Sequence, residues 1–338
     1  MRSDRRCPKV RGWHEVVGWR PRNRTRRPVL PSAPYMADEV KGGPLALVRA
    51  MRPKQWVKNV LLFAGLVFTV NDRWRPMSPE MWSYAARAAL AFVIFSLSAS
   101  SIYLLNDVLD VEKDRQHPKK RYRPIASGAL SPRVAIVVSM LLMPVGVGSA
   151  YALSHGYAAI IAGYLVMQLA YVTVLKHLVL VDVFVIAIGF VMRAAAGAVV
   201  IGAEISPWLY TVTLLGSLFL GLCKRRNELL LLEGDAGKHR KILDEYTPAL
   251  LDTLISITAA AAIMAYSLYT FSSPKLPANH LMMLTVPFVI FGMFRYLYLA
   301  HRKNEGGSPE EVLFKDRPLL VTILLWVATA ALILGLER

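Results

Sequence analysis

Asn106-Asp107-Val108-Leu109-Asp110-Val111-Glu112-Lys113-Asp114 stands where a long apolar run gives way to polar sequence. It places an amide and three spaced aspartates at that boundary. At helical spacing Asp107, Asp110 and Asp114 fall at i, i+3 and i+7, so one helix end can present several hard oxygen ligands to a divalent cation. Carboxylates at a membrane boundary are expensive without a partner, which argues against an idle loop. The reading is a Mg²⁺-bridged diphosphate at a membrane surface.

Upstream and downstream the chain is apolar in blocks of about twenty residues, the length that crosses a bilayer core at roughly 1.5 Å per residue. Of 338 residues 55% are hydrophobic, and mean hydropathy is +0.40. The expected fold is all-α, a polytopic transmembrane helical bundle. Nine spans are expected, near 56–71, 85–105, 133–153, 157–175, 178–200, 206–223, 249–271, 279–298 and 318–336, with eight as the alternative because the first is short.

Basic residues orient this bundle. They gather before the first span (Arg49, Arg52, Lys54, Lys58) and after the second (Lys113 to Arg123), fourth (Lys176, His177), sixth (Lys224 to Lys241) and eighth (His301 to Arg317). All of these loops lie on one side of the alternation, so the positive-inside rule places the N-terminus in the cytoplasm. The expected setting is the cell membrane, multi-pass, with the active site on the cytoplasmic face.

The net charge of +17 would suit nucleic acid, but the cations stand beside membrane spans, where anionic lipid or phosphate-bearing substrates explain them better. No nucleic-acid partner is expected. The two cysteines, Cys7 and Cys223, have no metal-ligand spacing and imply no disulfide framework.

Residues 1–44 are rich in Arg and Pro and lack an apolar signal-peptide core, so they read as a disordered basic extension. Met36 is an alternative start. Residues 45–338 form the expected transmembrane catalytic domain.

Beyond the aspartates come further candidate residues. Lys120, Arg121 and Arg123 offer phosphate contacts, Arg as a planar fork and Lys as a point charge. Lys58 and Asn59 lie about a turn into the first apolar segment, where Lys58 either snorkels or meets substrate. Tyr171, Lys176 and Asp182 flank the fourth loop. Arg193 lies deep in a span, as an interhelix tie or a substrate contact. Lys224-Arg225-Arg226-Asn227-Glu228 reads either as a topology signal or as an anion-receiving surface with at most a weak second metal site.

Taken in order, Asn-Asp-x-x-Asp-x-x-x-Asp, the following Arg-x-Arg-Pro-x-Ala-Ser-Gly, Tyr171/Lys176/Asp182 and the nine-span layout resemble the UbiA superfamily of intramembrane prenyltransferases over about 45–338. Members typically carry a second Asp-rich motif after the sixth span, which helps bind a prenyl diphosphate through a second Mg²⁺. Here Lys224 to Glu228 stands in its place. Together with Arg52-Pro53-Lys54-Gln55-Trp56-Val57-Lys58-Asn59 this resembles the decaprenyl-phosphate phosphoribosyltransferase branch. That resemblance implies transfer of 5-phosphoribose from phosphoribosyl diphosphate (PRPP) to a polyprenyl phosphate, a step toward cell-wall arabinan.

It implies Asp107, Asp110 and Asp114 as Mg²⁺ ligands assisted by Asn106. Lys58, Lys120, Arg121 and Arg123 would meet PRPP, and Lys176, Arg193, Lys224 and Arg225 would meet the 5-phosphate or lipid phosphate. Conventional prenyl transfer to an aromatic acceptor is the competing enzyme reading, disfavoured by the missing second motif. A transporter is the other class, and it predicts paired repeats and helix breaks at the midplane, whereas the sequence shows no internal repeat. Self-association into a homo-oligomer is compatible with all of these.

Overall fold

The computed structural model describes residues 43–67, 69–70, 73–118, 120–204, 207–231, 241–273, 276–302, 307, 309, 312 and 315–336. The basic extension up to residue 42, the alternative start Met36 and the acids Glu233 and Asp235 lie outside the described residues.

The described secondary structure is helical apart from one isolated bridge between Val70 and Trp74. In chain order the α-helices are α1 (Pro44–Ala50), α2 (Ala64–Val67), α3 (Pro79–Leu109), α4 (Val111–Gln116), α5 (Pro132–Leu153), α6 (His155–Thr173), α7 (Val181–Val200), α8 (Pro207–Leu231), α9 (Pro248–Ser272), α10 (Val286–Arg302) and α11 (Arg317–Leu336). Eight described helical segments are long and apolar enough to cross a membrane, with 3-10 residues from Leu281 joined to α10 to form one of them. The chain is therefore a multi-pass membrane protein.

Proline and hydroxyl caps start several of these helices. α3 begins at Pro79 behind Ser78, whose hydroxyl accepts from the Met81 N–H at 3.3 Å, and α9 begins at Pro248 behind Thr247, which accepts from Leu250 at 3.1 Å. Both arrangements satisfy an N–H that the first helical turn leaves open.

Position in the bundle follows side-chain size. α3 and α7 have 61% of their apolar stretch buried, against 17–33% in the other spans, and they are the central helices. α3 achieves this with Ser96, Ser98, Ser100 and Ser101, all fully buried, whose small side chains allow neighbouring backbones to approach. The hydroxyls of Ser98, Ser100 and Ser101 donate to main-chain carbonyls, as in Ser98 to Ile94 at 2.9 Å and Ser101 to Ser98 at 2.7 Å. One core joins α3, α6 and the C-terminal half of α7; a second joins α7, α8, α9, α10 and α11.

The first expected span, 56–71, takes an unusual form. Pro53–Phe63 is a 3-10 helix that runs into the four residues of α2. At about 2.0 Å per 3-10 residue and 1.5 Å per α residue this segment reaches roughly 28 Å, close to the bilayer core of about 30 Å. It begins with Arg52 against Asp107 and ends with Gly65 against Ala198 near the far end of α7. Close approach makes this segment's fit against α7 tight: a Cβ at Gly197 would run into the Leu62 carbonyl oxygen.

The expected continuous helix through the aspartates is interrupted. α3 ends at Leu109, Asp110 has φ −98° and ψ 9°, and α4 starts at Val111. Backbone bonds Asp110 N to Asn106 O at 3.0 Å and Asp114 N to Asp110 O at 2.8 Å carry the turn across the break.

Candidate functional site

The charged ends of the spans meet on one face. The C-terminal ends of α3, α6 and α8 and the N-terminal end of α7 carry the expected site residues, and the ion pairs among them define the candidate site.

Asp107 is 2% exposed and accepts from Arg52 and from Arg123 Nη1, the latter at 3.0 Å. The same Nη1 donates to Asp114 Oδ2 at 2.6 Å. Two buried carboxylates thus converge on one positive atom. Asp110, whose side chain is 23% exposed, turns instead to Lys176 Nζ, at 3.0 and 3.3 Å from its two oxygens. The kink at Asp110 explains why the three aspartates do not share one face as the uninterrupted helix predicts. Among the described residues no three His, Cys, Asp or Glu side chains cluster as a metal cage of their own.

Arg52, absent from the expected site residues, is central to it. Its backbone is left-handed, φ 55° and ψ 61°, directly before Pro53, a position where non-glycine residues are uncommon. That turn carries the guanidinium from the end of α1 to Asp107, with the Tyr103 ring 5.3 Å beneath it. The sequence signal was present in Arg-Pro-x-Gln-Trp-x-Lys-Asn, but only the fold brings it 55 positions along the chain to Asp107. Trp56, in the same segment, donates to Ser100 Oγ at 3.1 Å.

A second buried group lies beside the first. Arg225, 2% exposed, donates from Nε to Asp182 Oδ2 at 2.7 Å and from Nη1 to Glu228. Tyr246 donates to Asp182 Oδ1 at 3.0 Å and accepts from the Leu180 N–H at 2.8 Å. Burial pushes the Tyr246 phenol up to about 12, so it remains a neutral donor across the physiological range. Tyr246 was not legible in the sequence, where it is one aromatic residue after a polar loop. Tyr171 is half-buried against the α3 and α6 core.

Arg193 and Asn59 are placed elsewhere. Arg193 lies eleven residues beyond Asp182 on α7, roughly 16 Å deeper along the axis. Its guanidinium donates to Asn59 Oδ1 at 2.7 Å, to the Gly189 carbonyl at 2.6 Å and to Tyr164 Oη at 3.0 Å, within 5.1 Å of the Phe95 ring centroid. Asn59 passes the chain on to Ser96 at 2.8 Å. Of the two alternatives for Arg193, the geometry is that of an interhelix tie rather than a phosphate contact. Neutral oxygen acceptors and aromatic faces offset the burial of its charge.

Lys58 and Lys224 are half-buried, whereas Lys120 and Arg121 are exposed, with Arg121 lying 4.8 Å from the Tyr122 ring centroid. Around the site the cations Arg52, Arg123, Lys176 and Arg225 therefore each neutralise an acid. Lys58, Lys120, Arg121 and Lys224 add further positive charge.

Comparison with known proteins gives the following. The UbiA prenyltransferase family matches residues 74–315. A decaprenyl-phosphate phosphoribosyltransferase of Mycolicibacterium smegmatis is 36% identical over 315 residues, covering 88% of this chain and 97% of that protein. One from Corynebacterium glutamicum is 38% identical over 293 residues, covering 83% and 84%. Among solved structures, a UbiA homolog from Archaeoglobus fulgidus bound to GPP and Mg²⁺ superposes with a TM-score of 0.65 at 17% identity, over 86% of this chain and all of that one. That likeness concerns the fold.

Proposed function

The chain belongs to the UbiA prenyltransferase family, and on that premise we propose that it transfers 5-phosphoribose from PRPP to a polyprenyl phosphate. Relatives bearing the name decaprenyl-phosphate phosphoribosyltransferase, similar along nearly their whole length, support the reaction and the lipid phosphate acceptor. The observation that carries it over prenyl transfer is Arg225. Buried against Asp182 and Glu228, and flanked by Lys224 and Arg226, it sets positive charge at the end of α8, the place where a second aspartate motif would stand.

The donor set fits a hard divalent ion. Asp107 and Asp114 already hold a single guanidinium nitrogen between them, so this spot is built for positive charge. Asp107 and Asp114, which converge on one point, would hold Mg²⁺ together with substrate oxygens, as that ion prefers, and Asp110 and Asn106 would join them only if Asp110 turned from Lys176 as the diphosphate enters. Bound there, it would neutralise the diphosphate leaving group.

The chain's own residues supply the remainder. Lys176 and Arg123, seated on the same aspartates, stand where the diphosphate oxygens of PRPP would come. Lys58, Lys120, Arg121 and Lys224 supply charge for the 5-phosphate and the lipid phosphate. The bond from the anomeric carbon to the diphosphate oxygen breaks, and the lipid phosphate oxygen forms the new bond from the opposite face, with inversion. That oxygen is already ionised at neutral pH, so no group need remove a proton, and catalysis rests on positioning and charge. The positive-inside pattern assigns this face to the cytoplasm.

Purified protein in detergent, given Mg²⁺, labelled PRPP and polyprenyl phosphate, is expected to yield a labelled lipid. No labelled lipid, with product from prenyl diphosphate and 4-hydroxybenzoate instead, overturns the proposal.

A further inference from the structure

Between the Lys176 turn and α7 the backbone is strained. Val181 N–H donates to the Val179 carbonyl at 2.7 Å across Leu180, whose φ is 64° and ψ is −41°. This is a γ-turn of the rare hand, and it is held by a leucine where glycine would fit without strain. A strained turn persists only when its surroundings over-determine it.

Here the surroundings are specific. The Tyr246 hydroxyl takes the Leu180 N–H at 2.8 Å and gives its own proton to Asp182 Oδ1 at 3.0 Å, bridging the turn to the first turn of α7. Asp182 is itself held by Arg225 at 2.7 Å. Asp182 N–H also closes back on the Leu178 carbonyl at 3.1 Å. On the other side of the turn, Leu178 N–H donates to the Leu175 carbonyl at 3.1 Å, so the 3-10 turn Leu175–His177 is tied directly to the strained residue's neighbours. That 3-10 turn carries Lys176, whose ammonium reaches Asp110.

We propose that Tyr246 is a positioning residue for this site: by bridging Leu180 and Asp182 it holds the strained turn closed and thereby sets Lys176 against Asp110, where the diphosphate binds. The inference rests on the reading of Asp110 and Lys176 as the diphosphate site. Without the hydroxyl, Leu180 relaxes toward negative φ, the 3-10 turn rotates and Lys176 leaves its place.

The test is a double-mutant cycle on the full chain in detergent, reading the dissociation constant of inorganic diphosphate in the presence of Mg²⁺. Lys176→Ala is expected to weaken binding about tenfold or more, as loss of a charged contact does. Tyr246→Phe is expected to weaken it severalfold, and Tyr246→Phe/Lys176→Ala to bind no worse than Lys176→Ala alone. Tyr246→Phe/Leu180→Gly is expected to recover most of the loss, because glycine keeps the positive φ without being pinned; it also relieves the strain if Tyr246→Phe by itself folds poorly. Independent, multiplying losses in the double variant, no loss in Tyr246→Phe, or no recovery with Leu180→Gly overturns the positioning role. Full binding by Lys176→Ala overturns instead the reading of the site on which it rests.

Discussion

Asp107 and Asp110 are three positions apart and differ sharply in what they support. Asp107 is buried between two guanidinium groups, so Asp107→Asn leaves Arg52 and Arg123 short of a charge and costs folding stability as well as turnover, on the order of 3–5 kcal/mol. Asp110 is more exposed and held by one lysine, so Asp110→Asn is expected to abolish turnover while leaving the melting temperature within a few degrees. Thermal unfolding of both variants beside the labelled-lipid assay checks this. Equal destabilisation by the two would remove the distinction. Their spacing makes both metal-ligand candidates on one helix end, and only the burial of Asp107 separates them. Arg225 follows the same logic, since its removal strands Asp182 within the fold.

Elements are fitted to one another by small residues. Pro53–Phe63 and α2 lie so close to α7 that Gly197 has no room for a methyl group beside the Leu62 carbonyl. Gly197→Ala must therefore push the 3-10 segment away from α7, with an expected loss of about 1–3 kcal/mol. Gly216, in α8, has nothing within 4 Å of its would-be Cβ, and Gly216→Ala is expected to be neutral or stabilising by about 0.5–1 kcal/mol. Melting curves of the two alanine variants should diverge; a neutral Gly197→Ala would show that the contact has slack. Because Arg52 leads directly into that segment, the same variant is expected to lower activity by displacing the guanidinium from Asp107.

Across the whole molecule, charge and chemistry share one face. Every aspartate of the site lies at the same end of its span, as do Arg226, Asp252 and His301, which join α8, α9 and α10 through a pair at 3.1 Å between His301 and Asp252 and another between Arg226 and Asp252. On this arrangement a cysteine at the exposed Lys120 is expected to react with a membrane-impermeant maleimide only in inside-out vesicles, and one at the exposed Met77 only in right-side-out cells. The reverse labelling would place the site on the outer face. Dependence on Mg²⁺ is expected to titrate as a single class of site, since Lys224, Arg225 and Arg226 put positive charge where a second aspartate motif would bind an ion.

The class of fold, the boundaries of most spans and the residues of the charged face were legible in the sequence. Each depends on local quantities: runs of apolar side chains, basic residues flanking them, and acids spaced along one segment. Partnership was not legible. That Arg123 joins Asp107 to Asp114, that Arg52 reaches Asp107 from just beyond α1, that Arg193 is held by Asn59 and Tyr164, and that Tyr246 pins Leu180 were decided by tertiary structure. The physical reason is that a cation's role depends on which acceptor lies within about 3 Å of it once it is buried. Helices that are distant in the chain set that distance when they pack.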